Sequence, residues 1–111
     1  MYCLLYYNEM KRYYITIKGG NVQRCGFRKV AAEKARQLKL TGLAYYLDHH
    51  VAIEAEGDMA KLESYLSWCK AGPLGCKIES VEFVEIPIKG SASFEIIHGV
   101  VQKDAPPSRQ A

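Results

Sequence analysis

Gly20-Asn21-Val22-Gln23-Arg24-Cys25-Gly26-Phe27-Arg28 joins a β-like run, Tyr13-Tyr14-Ile15-Thr16-Ile17, to a run with helical periodicity that begins near Phe27. A strand, a glycine-bearing loop and a helix start make a natural anion site. The first N–H groups of a helix have no intrahelical partner, and the helix dipole favours negative charge there. An arginine in the first turn adds a planar fork suited to phosphate oxygens.

Outward from this loop, the periodicity predicts six elements and a possible seventh. A strand covers about 13–19. Phe27, Val30, Ala31, Ala35 and Leu38 then recur at helical spacing, which predicts a helix over about 27–39. Thr41-Gly42 punctuates, Leu43 to Leu47 reads as a strand, and Asp48-His49-His50 reads as a turn. Val51, Ile53 and Ala55 alternate with Ala52, Glu54 and Glu56, the pattern of a half-buried strand. Asp58 is the expected N-cap of a second helix, with Met59, Leu62, Leu66 and Cys69 on one face and Gly72-Pro73 as its stop. Lys77 to Ile86 is extended, and Ser93 to Ile97 is a possible short edge strand. The order βαββαβ with right-handed crossovers gives an α+β, ferredoxin-like sandwich: an antiparallel sheet with two helices on one face. Residues 1–12 read as an N-terminal extension, 13–97 as the domain, and 98–111, with Pro106-Pro107 and no periodicity, as a disordered tail.

The 111 residues suit one domain, and no apolar run approaches the roughly 20 residues of a membrane helix. The N-terminal segment lacks the basic start of a signal peptide. Cys3, Cys25, Cys69 and Cys76 form no CxxC pair, so free thiols in a reducing cytoplasm are expected. The net charge of +3 is uneven. Lys18 to Lys39 holds seven basic residues against one acid, a positive field centred on the loop.

The loop resembles the active-site loop of acylphosphatases, G-R/K-V-Q-G-V-G-F-R. Gly20, Val22, Gln23, Gly26, Phe27 and Arg28 are kept; Arg24 stands at the middle glycine and Cys25 at the second valine. The resemblance runs from about Tyr14 to Ile97. Gly42 opens the segment matching G-W-V-R-N, Val51 to Gly57 is similar to V-E-I-x-A-E-G, and Gly72-Pro73 matches a G-P after the second helix. It implies hydrolysis of carboxyl-phosphate anhydrides with no metal, no cofactor and no covalent intermediate. It also implies a phosphate cradle formed by the backbone of Val22, Gln23, Arg24, Cys25, Gly26 and Phe27, with Arg28 binding the phosphate. The family's water-positioning asparagine falls at Tyr46, whose hydroxyl lies several ångströms further from the backbone than a short amide, and the D-G turn becomes His49-His50. The alternative is a non-catalytic module that binds phosphate or a phospho-ligand. At Arg24, a glycine's positive φ would cost an arginine about 1–2 kcal/mol; equally, Arg24 over the site mouth could hold an anion.

Other constellations are weaker. His49, His50 and His98 lack metal-site spacing. Tyr13, Tyr14, Tyr45 and Tyr46 read as sheet residues, because the third strand lacks the aromatics of an RNA-binding platform. The expected partner is a small acyl phosphate or inorganic phosphate, with no specific nucleic acid and no membrane, acting on a monomer.

Overall fold

The computed structural model describes residues 9–99. Seven elements follow in the expected order: β1 (Met10–Lys18), α1 (Phe27–Gln37), β2 (Thr41–Leu47), β3 (His50–Asp58), α2 (Met59–Ala71), β4 (Ser80–Ile86) and β5 (Phe94–Ile96). They build one five-stranded sheet in the order β4-β1-β3-β2-β5. The first four strands pair antiparallel, and β5 runs parallel to β2. The fold is ferredoxin-like with the edge strand added.

Alternation on β1 and β3 sends Ile15, Ile17, Val51, Ile53 and Ala55 to one face. There they share a core with Phe27, Ala31 and Ala35 of α1 and with Leu62, Tyr65 and Cys69 of α2. Fully burying side chains of the size of Ile15 or Phe27 contributes about 1.5–3 kcal/mol each. The Tyr65 hydroxyl donates to the Ala31 carbonyl at 2.8 Å, tying the two helices together. Among the described residues, no helix is long and apolar enough to cross a membrane.

Two expectations need correction, and a third holds in position only. Residues 10–12, placed in the extension, belong to β1, and Arg12 is buried. Arg12, next to Lys11 in a polar stretch, reads as solvated because its acidic partners lie more than 40 positions away. Thr41-Gly42 is strand, not punctuation. Asp58 occupies the N-cap position of α2, but its side chain makes no capping hydrogen bond. The proposed extension up to residue 8 and the tail from residue 100 lie outside the described residues.

The other sheet face is covered as well. The connection from β4 to β5 must cross the sheet, and its Lys89 and Gly90 amides donate to the Glu56 carboxylate at 2.9 and 3.0 Å. Arg12 beneath it reaches Glu54 Oε1 with Nε and Nη2 at 3.2 and 2.8 Å, and Glu56 Oε1 with Nη1 at 2.9 Å. It also donates to Ser91 Oγ at 3.0 Å. Burial alone would push the Glu56 carboxyl up. The amides of Lys89 and Gly90 and the Arg12 guanidinium outweigh it and hold Glu56 below its ordinary range.

Candidate active site

The loop between β1 and α1 is a chain of turns from Gly20 to Gly26. Its hinge is Gly26, the N-cap of α1, at φ 80° and ψ 23°. That left-handed geometry costs a non-glycine residue about 1–2 kcal/mol. Arg24 is not among the described non-glycine residues with positive φ, which are Lys39 and Asp48. The strain expected at Arg24 is therefore absent, because Gly26 supplies the bend.

Inside the loop, the Arg24 and Cys25 amides donate to the Asn21 carbonyl at 2.9 and 3.0 Å. Two of the six residues expected to cradle phosphate thus use their amides to close the turn. Gly19 to Arg24 and His49 line a concavity of about 510 Å³. Arg24 is exposed on its wall, and Arg28 is not part of that wall.

Arg28 is half-buried in the first turn of the helix. Its guanidinium carbon lies 3.6 Å from the centroid of the Tyr46 ring, a cation–π contact. Its Nη1 donates to the Ile97 carbonyl at 3.0 Å. No carboxylate pairs with it among the described residues. The Tyr46 hydroxyl donates to the Gln23 carbonyl at 2.6 Å. The Gln23 amide in turn donates to the Asp48 and His50 carbonyls, both at 2.9 Å. Gln23 therefore braces the loop to the turn between β2 and β3. Tyr46 connects the loop carbonyl to the arginine, and the two residues named from sequence, Arg28 and Tyr46, are in direct contact.

Phe27 and Val22 are buried in the core and anchor the loop at both ends. Their side chains offer nothing to a ligand; only their backbone does. Cys25 overturns the expectation of free thiols, since it is disulfide-bonded to Cys76. The segment after α2 folds back to place the two Cα atoms 5.4 Å apart, within disulfide reach, across 51 positions that the sequence does not connect. Cys69 is a free, buried thiol, pushed up to about 12 by burial. Cys3 lies outside the described residues. Sequence reasoning missed His49 as a wall residue and Asn21 as a tether. A histidine in a polar turn carries no signal of what that turn faces.

A family model described as acylphosphatase matches residues 13–96. The chain belongs to the acylphosphatase family. Acylphosphatase from Methylococcus capsulatus is 33% identical over 93 residues, covering 82% of this chain and 100% of that protein. Among solved structures, an acylphosphatase from Bacillus subtilis superposes with a TM-score of 0.75 at 29% identity, over 81% of this chain and 100% of that one. One from Coxiella burnetii gives 0.75 at 27% identity, over 79% and 93%. Acylphosphatase-like function follows for this chain.

Proposed function

We propose that this acylphosphatase-family site binds the phosphate end of a small acyl phosphate, or inorganic phosphate, and hydrolyses the acyl phosphate slowly. The helix start at Gly26-Phe27 and the uncompensated charge of Arg28 support the binding half. The amides of Val22, Gln23, Gly26 and Phe27 remain the candidate cradle. In this reading Arg28 and the amides stabilise charge on the phosphoryl oxygens, which is catalysis by position and preorganised dipoles.

The observation that carries the slow turnover is the 2.6 Å hydrogen bond from Tyr46 to the Gln23 carbonyl. A tyrosine hydroxyl has one proton to donate. Here that proton closes the loop, so it is not available to donate to an attacking water. The ring beneath Arg28 fills the space a short amide would leave. Holding substrate and transition state equally well does not accelerate the reaction.

The same contact favours a second reading, a phosphate or phospho-ligand module without turnover. Specific nucleic-acid recognition by the sheet is not part of either reading. Ala52, Glu54 and Glu56 on the far face of β3 are buried and give no stacking platform. The test of the binding half is a phosphate titration followed by amide NMR shifts. Shifts at Val22 to Arg28 that vanish in Arg28→Ala are expected. Shifts confined to surface lysines would refute the anion site.

A further inference from the structure

The anion loop is held from behind by one short segment. Asn21 uses both ends of its side-chain amide on it: Nδ2 donates to the Gly75 carbonyl, and Oδ1 accepts from the Lys77 amide, each at 2.9 Å. The disulfide joins Cys25, at the other side of the same turn, to Cys76. A Cβ on Gly19 would run into the Lys77 carbonyl, so the two backbones are packed together there. The Glu79 amide continues the seam onto the Lys18 carbonyl at 2.8 Å. Asn21 also accepts the two amide hydrogen bonds that close the turn, so the residue that shapes the loop is the one tied to residues 75–77.

We infer that Asn21 and the Cys25–Cys76 bridge position the anion loop, and that the bridge is a redox latch: reduction loosens the loop and weakens its grip on phosphate. The inference rests on the anion-site reading above. A dithiol reductant supplies the chemistry. One of its thiolates attacks a bridge sulfur, the S–S bond breaks, and a mixed disulfide forms. Its second thiol resolves that intermediate. Two electrons and two protons end on Cys25 and Cys76, and the reductant leaves as its own disulfide. Both cysteines are only partly buried, which leaves the bridge open to a small dithiol. A loop freed at Cys25 keeps the Asn21 tether but must be ordered again when an anion binds. Ordering one or two groups on binding weakens affinity roughly three- to tenfold.

The experiment compares the full chain with its bridge intact, after dithiothreitol, and after reoxidation, at a temperature where all three give the same far-UV circular dichroism. Two quantities are read: the Kd for inorganic phosphate, and hydrogen exchange of the amides from Asn21 to Gly26 without phosphate. Reduction is expected to raise Kd about three- to tenfold and to speed exchange in the loop, with both restored on reoxidation. Cys76→Ser is expected to behave as the reduced chain and to ignore dithiothreitol. Asn21→Ala is expected to weaken binding with the bridge intact. Equal Kd and equal loop exchange in both redox states would overturn the latch while leaving the anion site standing. No phosphate binding even with the bridge intact would overturn both.

Discussion

Arg12 and Arg28 are both held in place, and by opposite means. Arg12, on the outer face of the sheet, is 1% exposed and is surrounded by two carboxylates and Ser91. Its charge is fully answered within the fold. Arg28 lies over an aromatic ring and gives one hydrogen bond to a carbonyl. No described carboxylate answers its charge, and it stands at a helix N-terminus that also favours anions. A guanidinium paired with carboxylates belongs to the architecture; one held by a ring and a carbonyl alone is, on the proposed reading, left for an anionic ligand. The two clusters thus divide the work of the molecule, one securing the β4–β5 crossing and the other equipping the loop.

The contrast is broken most sharply by deleting each arginine. Arg12→Ala leaves Glu54 and Glu56 buried without their cation, and about 3–5 kcal/mol of stability should disappear in urea unfolding. Arg28→Ala removes a surface-facing contact, and its cost should stay within about 1 kcal/mol. Comparable losses from both would dissolve the distinction.

Phosphate affinity should report the reverse order. A charge-assisted hydrogen bond is worth about 1.5–3 kcal/mol, so Arg28→Ala should weaken phosphate binding roughly 10- to 150-fold by calorimetric titration. A conservative surface control, Lys70→Gln, far along α2, should leave it unchanged.

The outer cluster should also reveal itself through pH. Glu56 is held below its ordinary range, so its stabilisation is present above the unfolded carboxylate value near about 4.3 and is lost as pH falls through the lower folded value. In Glu56→Gln the stability at neutral pH should be lower and its decline on acidification shallower. A decline as steep as in the unaltered chain would place the acid sensitivity elsewhere. A smaller effect than that of Arg12→Ala belongs to Tyr46→Phe, which keeps the ring under Arg28 and removes the hydrogen bond to Gln23. A stability loss of about 0.5–1.5 kcal/mol is expected in denaturant titrations.

How much of this was legible in the sequence depends on range. Periodicity gave Phe27, Val30, Ala31, Ala35 and Leu38 as the apolar stripe of α1, of which Phe27, Ala31 and Ala35 are buried; alternation gave the inner face of β3 but not the burial of its outer face. The loop and its arginine followed from a local motif. What stayed hidden was long-range pairing. Nothing near Arg12 marks it as buried; Glu54 and Glu56 become its partners only once β1 and β3 align in register. Cys25 and Cys76 meet only because the segment after α2 returns to the loop. Tyr46 was legible as the residue at the asparagine position, but its hydrogen bond to Gln23 depends on how the loop and β2 are joined in space.

The most direct measurement is turnover of benzoyl phosphate by the unaltered chain, Tyr46→Asn, Tyr46→Phe and Arg28→Ala, the last as a blank. Turnover by the unaltered chain and by Tyr46→Phe should lie close to the blank. Tyr46→Asn should rise roughly 10- to 100-fold, short of the 10²–10³ that one such donor can supply, because the ring beneath Arg28 is lost with the hydroxyl. Robust hydrolysis by the unaltered chain that Tyr46→Asn leaves unchanged would show that the attacking water is held by another group, and would contradict the role given to Tyr46.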